Sequence, residues 1–365
     1  MKKIFFLIIL FFPLLVSAQT AEPGDKILEA RVIRVIEQRE NELPDGKIVE
    51  QQNLELEITN DERIGEKVYF YGIGNFDVIK KNLYQVGDTV LLDASTDDTG
   101  NTTYYITDYI RTKGLKILLL IFCLVLLIVG GTKGVRSIIS LVLSFVVIVK
   151  YIIPQILAGA NPFIVTILGS FVILLSIIYI TEGFRARSHI TVISILLSLI
   201  ITLLLSSLFV ALAKLSGLAS EETMFLISFG SGEINFKGLL LAGIIIGALG
   251  VLDDVVISQV TTVEQLHKTD PYQSFKQIFK SAHEVGISHV SSMTNTLFLA
   301  YAGASLPLLI LFISGESAFS SWGQIINNEA IATEIVRTLT GSIGLITAVP
   351  ISTVLATWWF VKLKK

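Results

Sequence analysis

Two adjacent acids, Asp253 and Asp254, stand in the otherwise apolar stretch GALGVLDDVVISQ, residues 247–259. The apolar run before them, residues 238–252, would reach about 22 Å as a helix, which is short of the roughly 30 Å hydrocarbon core of a membrane. A crossing helix must therefore include both acids, unless the segment re-enters without crossing. Because a carboxylate at the centre of such a helix costs roughly 2.5 to 3.5 kcal/mol, the pair is expected to face a bundle interior or water.

Helical spacing divides the two acids between different faces of that segment. Gly243, Gly247, Gly250 and Asp254 fall on one side, whereas Asp253 points about 100° away. The Gly243-x-x-x-Gly247 spacing predicts close packing against another helix. We therefore interpret Asp254 as the leading candidate for binding a proton or cation, and the three glycines as helix-packing residues.

Polar residues also interrupt the next apolar segment, in GISHVSSMTNTLFLAYAG, residues 286–303. His289, Ser292, Asn295 and Thr296 form a stripe expected at the depth of Asp254, and Glu182, at the end of an earlier segment, is expected at a comparable depth. Together with Asp253 they are candidate residues of a transport pathway open to the cytoplasm. The alternative is that the serine, threonine and asparagine side chains only hydrogen-bond between helices.

The composition is that of an integral membrane protein. Hydrophobic residues make up 52% of the chain and charged residues only 16%, against roughly 25% charged residues in soluble domains. The net charge of -3 and the absence of a recognition motif exclude nucleic acid as a partner. The four histidines do not have the spacing of a structural metal site, so neither a metal nor another cofactor is predicted.

Seven apolar segments predict an α-helical membrane bundle of about seven transmembrane helices over residues 112–365. They lie at about 115–131, 134–156, 162–182, 190–213, 238–259, 287–313 and 338–361. Residues 260–285 are interpreted as a cytoplasmic linker with an amphipathic helix, in which Asp270 is the N-cap and Pro271 the first helical residue. That helix is expected on the membrane surface, with docking of a partner as the alternative.

The N-terminal part of the chain has a different character. Residues 1–18 combine two lysines, an apolar run and a small-x-small pattern ending at Ala18, which is typical of a signal peptide cut after Ala18. An uncleaved anchor is the alternative. Residues 19–111 contain short alternating runs between turn signals, which predict a small all-β extracytoplasmic domain, with an OB-like barrel as one expected topology.

Charge supports one orientation of this chain in the membrane. If the β domain is exported, an odd number of crossings leaves the C-terminus inside, where Lys362, Lys364 and Lys365 obey the positive-inside rule. We therefore expect a multi-pass protein of the bacterial plasma membrane, with its N-terminal domain outside and its C-terminus in the cytoplasm.

Three blocks carry a family resemblance: residues 247–259, MTNTLFLAYAGASLPLLILF at 293–312, and EIVRTLTGSIGLITAVPIST at 334–353. In this order they resemble the YibE/F-like family of bacterial multi-pass membrane proteins, over nearly the whole mature chain. The resemblance implies a membrane location and a shared helical core, and it implies no mechanism. Many relatives carry one acid where this chain carries two, which leaves open which acid matters.

These observations favour an ion-coupled permease or transporter of an unidentified small solute or ion, with coupling through Asp254 and a path lined by Asn295 and Thr296. The alternative is a non-catalytic envelope scaffold or sensor. An intramembrane aspartyl protease is disfavoured, because its two carboxylates must meet across a site and share a proton. We expect no enzyme and no catalytic residue. The expected partners are the lipid bilayer and either a second copy of the chain or another membrane protein.

Overall fold

The computed structural model describes residues 27–42, 48–60, 62–74, 83–96, 100, 102–228, 234–314 and 321–363. The chain divides into two compact units, Met1–Val129 and Gly130–Lys365. The predicted signal peptide, residues 1–18, and its cleavage site lie outside the described residues.

The N-terminal unit contains a five-stranded antiparallel sheet. Its strands are β1 (Leu28–Glu42), β2 (Ile48–Ile58), β3 (Lys67–Tyr71), β4 (Thr89–Thr96) and β5 (Thr102–Tyr109), in the order β3-β2-β1-β4-β5. Alternation along the strands turns one face inward, where Val32, Leu54, Leu56 and Leu92 are fully buried. The predicted N-terminal β structure is therefore confirmed.

The sheet is not closed into a barrel within the described part of the chain. Ladders join neighbouring strands in the stated order, and none joins β3 to β5. The two edge strands nevertheless approach each other, and Arg63, just before β3, donates a hydrogen bond to the Tyr104 hydroxyl on β5. The expected OB-like barrel is thus not confirmed.

A buried amide ties the segment before β4 to β2. The Gln52 Oε1 atom accepts a hydrogen bond from the Tyr84 backbone N–H at 2.8 Å, and its Nε2 atom donates to the Tyr84 carbonyl at 3.2 Å. Both residues are buried, and burial raises the pKa of Tyr84 to about 12, so its hydroxyl stays neutral at physiological pH. The two hydrogen bonds from the Gln52 side chain satisfy the backbone N–H and C=O groups of Tyr84, as a neighbouring strand would otherwise do.

We expect Gln52→Leu to lower the free energy of unfolding of the N-terminal unit by about 1 to 3 kcal/mol, because the buried N–H and C=O groups of Tyr84 lose their partners. A urea titration of the full-length chain in detergent, with proteolysis of the N-terminal unit as the readout, measures this. The matched control is Gln85→Leu, since Gln85 is exposed. Equal loss in both variants would contradict the proposed role of Gln52.

Helices make up most of the remaining described chain. They are α1 (Thr112–Val147), α2 (Ile153–Leu157), α3 (Pro162–Glu182), α4 (Ala186–Leu212), α5 (Glu221–Ser228), α6 (Phe236–Thr269), α7 (Phe275–Ala304), α8 (Leu306–Ile313), α9 (Trp322–Asn327) and α10 (Glu329–Trp358), with single π-helical turns at Ile148–Ile152 and Trp359–Leu363. In the described residues, five helical stretches are long and apolar enough to cross a membrane, or six if α7 and α8, bent by 64°, form one crossing. The predicted helical membrane architecture is confirmed, whereas the number seven is not.

The difference in number arises in the first stretch. Two of the predicted segments, 115–131 and 134–156, fall within the single stretch Thr112–Leu157. At Gly131 the backbone has φ 54° and ψ −128°, which is not helical and which glycine adopts because it has no Cβ. The helix is therefore interrupted between the two predicted segments, although it counts as one stretch by length and composition.

The connection between α6 and α7 differs from its prediction. Helix α6 continues to Thr269, and Asp270 is its C-cap, so the prediction of Asp270 as an N-cap is wrong. Helix α7 begins after Ser274, whose side chain forms a capping box with Gln277. The reciprocal bonds of a capping box satisfy two N–H groups, which favours this start over the one at Asp270. The expected amphipathic segment thus forms the first turns of α7.

The core of the C-terminal unit lies between α3, α4, α6 and α10, where Leu174, Ile195, Val256 and Ala348 are fully buried. Where α4 meets α10, the side chains between the two helices are small and carry hydroxyl groups. A Cβ atom added at Gly344 would overlap with the Thr202 Oγ1 atom. Small residues thus allow these two helices to approach closely.

Candidate functional site

Helix α6 carries both acids near its middle and turns them in different directions. Asp253 is buried, with 9% of its surface exposed, whereas Asp254 is exposed. The Asp253 Oδ1 atom accepts a hydrogen bond from the Asp254 backbone N–H at 2.9 Å. The acid that the sequence favoured, Asp254, therefore lies on the uncovered side of α6, and Asp253 is turned into the helical bundle.

The nearest residues to Asp253 on its own face of α6 are apolar. On its helical face, Leu249 and Val256 belong to the buried core of the unit. In the part of the chain that the structure describes, no salt bridge reaches Asp253. A carboxyl group inside a bundle without a cationic partner is a feature of ion and proton pathways in membrane proteins.

Helix α7 lies beside α6 and runs in the opposite direction. Three pairs define the register: Gln259 with Ala282, Val255 with Val290, and Gly247 with Tyr301. This register places Asp254 at the depth of His289, and the two side chains are close enough to interact electrostatically. The expected match in depth between the acidic pair and the polar stripe of α7 is therefore present.

The polar stripe of α7 divides between two directions. His289, Ser292 and Thr296 lie at i, i+3 and i+7 and share one side of the helix, with His289 half-buried and the other two exposed. Asn295 is also exposed, but it points about 100° away from Thr296. The structure thus brings three of the four predicted residues to the side of Asp254 and leaves Asn295 at the margin.

Two of the three predicted packing glycines are not in close contact with another helix in the part of the chain that the structure describes. A Cβ atom added at Gly243 or Gly250 would meet nothing within 4 Å, whereas one at Gly247 would lie 3.2 Å from the Tyr301 hydroxyl. The close helix contact predicted from these glycines is therefore limited to Gly247. We name the small and polar residues on this side of the two helices the α6–α7 polar face: Gly247, Gly250, Asp254, His289, Ser292 and Thr296, of which Gly247 and His289 are half-buried and the others exposed.

Glu182 belongs to a different cluster, at the end of α3. It pairs with Arg187 and, at 3.3 Å, with Lys133. Arg187 also lies 3.6 Å from Glu264 on α6, and Glu264 pairs with Lys268 at 2.8 Å. Because Glu264 is ten residues beyond Asp254, the cluster lies about 15 Å further along α6. Glu182 is therefore neutralised by cations and stands apart from the α6–α7 polar face.

A buried amide that the sequence analysis did not single out joins three helices. Gln259, with 3% of its surface exposed, donates from Nε2 to the Ala282 carbonyl at 2.8 Å and to the Thr353 hydroxyl at 2.7 Å. A Cβ atom at Gly286 would lie 2.6 Å from the Gln259 Oε1 atom, so α7 packs tightly at this point. In the sequence, the available signal was an amide at the end of the apolar segment 238–259.

The chemistry of the polar face is that of carboxylates, hydroxyls and one imidazole. Such groups can bind and release a proton or a single weakly held cation. Among the described residues, no group of three or more His, Cys, Asp or Glu side chains is placed to hold a metal ion.

Comparison with protein families matches residues 118–362 to the family described as YibE/F-like protein. This range contains every residue of the α6–α7 polar face and begins within α1, so the N-terminal sheet lies outside it. The resemblance therefore covers less of the chain than the sequence blocks suggested. No curated protein and no solved structure matches the chain.

Proposed function

We propose that this chain, which belongs to the YibE/F-like family, is an ion-coupled permease for an unidentified small solute or ion. The observation that carries the proposal is the placement of two adjacent carboxyl groups on α6, one inside the bundle and one on the polar face. Adjacent groups on different faces of a helix can pass a proton or cation from a water-lined surface toward the interior. Asp254 is the entry group and Asp253 the inner group.

The other residues of the polar face have supporting roles in this proposal. His289 lies at the depth of Asp254, close enough for the two side chains to interact electrostatically, so the imidazole can influence how Asp254 holds its ion. The hydroxyls of Ser292 and Thr296 line the approach, with Asn295 at its margin. The α6–α7 polar face is proposed as the wall of the pathway.

We further propose seven crossings of a bacterial plasma membrane, with the N-terminal unit outside and the C-terminus in the cytoplasm. The break at Gly131 separates the first two crossings, and α7 with α8 forms one bent crossing. In this orientation the Glu182, Arg187 and Glu264 cluster lies on the cytoplasmic side. The approach of β3 to β5 supports a partly open barrel of the OB type for the exported unit.

The function is tested by reconstituting the chain in liposomes. A membrane potential is imposed across the liposome membrane. Proton flux is followed with trapped pyranine, and sodium flux is followed with a sodium-sensitive dye. Both fluxes are measured with and without a panel of small solutes. We expect wild-type flux of one ion above that of empty liposomes, and loss to the empty level in Asp254→Asn, because the amide cannot exchange a proton and lacks the negative charge that attracts a cation.

The matched control is Glu284→Gln, which removes one carboxylate from α7 at a position that is 69% exposed. It should keep the wild-type flux. If Asp254→Asn and wild type carry the same flux of both ions, Asp254 has no role in coupling and the proposed function is wrong.

A further inference from the structure

Among the described residues of the C-terminal unit, no helix covers the α6–α7 polar face. Asp254, Ser292 and Thr296 are exposed, and the space beside Gly250 is open. At membrane depth, an uncovered face meets lipid tails, which offer no hydrogen-bond partner and make a carboxylate cost roughly 2.5 to 3.5 kcal/mol. An enclosed pathway along this face therefore needs a second wall.

The rest of the helical surface shows what a lipid-facing side looks like in this chain. On α4, the uncovered residues Ile193, Leu197, Ile200, Leu204 and Leu208 are large and apolar. The uncovered side of α6 and α7 instead combines glycines, hydroxyls, an imidazole and a carboxylate with two exposed apolar side chains, Val285 and Leu299. This mixture of small, polar and apolar residues fits a surface that packs against another protein helix.

We propose that a second copy of this chain covers the α6–α7 polar face, in a parallel dimer whose two-fold axis runs along the membrane normal. This inference rests on the proposed function, because a pathway past Asp254 requires the wall that one copy lacks. The partner copy then contributes residues to the site itself.

Charge complementarity supports a second copy as the occupant. Copies with the same orientation in one membrane bring residues of equal depth together across a two-fold axis. Asp254 and His289 lie at equal depth on neighbouring helices. In the second copy, rotation by 180° about this axis reverses the side-by-side order of α6 and α7 as seen from the first copy. Asp254 of one copy therefore faces His289 of the partner subunit, and the reciprocal pair forms as well. The face is therefore complementary to itself.

Cysteine crosslinking in membranes tests this arrangement. The sole cysteine is first removed by Cys123→Ser. Two differently tagged copies are then co-expressed, one with Asp254→Cys and the other with His289→Cys, and oxidised with copper phenanthroline. We expect a disulfide-linked dimer that carries both tags. The control pair, Leu204→Cys with Leu208→Cys on the apolar side of α4, should stay uncrosslinked.

A second measurement does not disturb the charge pair. The mass of the unsubstituted complex in lipid nanodiscs should correspond to two chains and not to one. A single-chain mass together with no crosslink between positions 254 and 289 would overturn the dimer, as would a crosslink from position 254 to a different membrane protein.

Crosslinking and liposome flux separate this inference from the function on which it rests. Loss of flux in Asp254→Asn together with a single-chain mass would overturn the dimer and leave the permease standing. A crosslinked dimer with unchanged flux in Asp254→Asn would support the interface and remove the permease.

Discussion

Gly344→Val is expected to lower the free energy of unfolding of the helical unit by about 3 kcal/mol, because overpacking forces α4 and α10 apart. A Cβ atom at position 344 would overlap with the Thr202 Oγ1 atom and lie 3.1 Å from its Cβ atom. Thr202 is 1% exposed, and the crowding reaches its Cβ atom, which a change of rotamer does not move. We therefore expect the two helix backbones to separate.

The separation would break a neighbouring contact as well. One turn along α4, the Ser206 hydroxyl donates to the Thr340 hydroxyl at 3.0 Å, and both side chains are buried. Because this bond depends on the same close approach, its loss adds to the cost of the clash. The expected effect therefore exceeds that of an ordinary glycine substitution in a helix.

Unfolding of the purified chain by titration with sodium dodecyl sulfate measures this difference. Gly303→Val is the matched control, since a Cβ atom at Gly303 would meet nothing within 4 Å. Adding Thr202→Ala to Gly344→Val should restore part of the loss, because it removes the nearest atom. Equal stability of the variants at 344 and 303 would show that α4 and α10 do not pack as described.

Gln259→Glu should cost more stability than Gln259→Leu, with a loss of about 3 kcal/mol or more against about 1 to 3 kcal/mol. The amide donates to the Ala282 carbonyl and the Thr353 hydroxyl. Leucine removes both bonds, whereas a carboxylate also places negative charge against a carbonyl oxygen at a buried position. The order of the two variants therefore distinguishes a role for hydrogen bonding from one for volume alone.

The same titration with sodium dodecyl sulfate measures both variants. Gln265→Glu makes the identical change at an exposed position of α6 and should leave stability nearly unaltered. A larger loss for Gln259→Leu than for Gln259→Glu would mean that filling the space matters more than the hydrogen bonds joining α6, α7 and α10.

Apolar length predicts where helices occur more reliably than where they end. Helix α3 covers Pro162–Glu182, the same residues as one predicted segment, because a glycine follows the last apolar turn. Helix α6 instead continues ten residues past its predicted end, since Glu264 and Lys268 stabilise turns that hydropathy alone does not identify. The start of α7 was missed because Asp270 and Ser274 are both capable N-caps, and the bonds of Gln277 favour Ser274.

The sequence predicted the membrane depth of the candidate site residues better than it predicted the directions in which their side chains point. The register of α6 and α7 follows from their antiparallel course, so the polar stripe of α7 could be placed beside Asp254. The separation of Glu182 from that stripe could not be predicted, because Glu182 pairs with Arg187, which lies near Glu264, a residue distant in sequence.

The sequence by itself determined the membrane class, the polar stripe and the angle of about 100° between the two acids, since each depends only on composition and on the geometry of one helix. Only the tertiary structure decided that Asp253 is enclosed and Asp254 uncovered. The rotation of α6 about its own axis sets this choice, and that rotation is fixed by side chains on α3, α4, α7 and α10, whose contacts no local pattern contains.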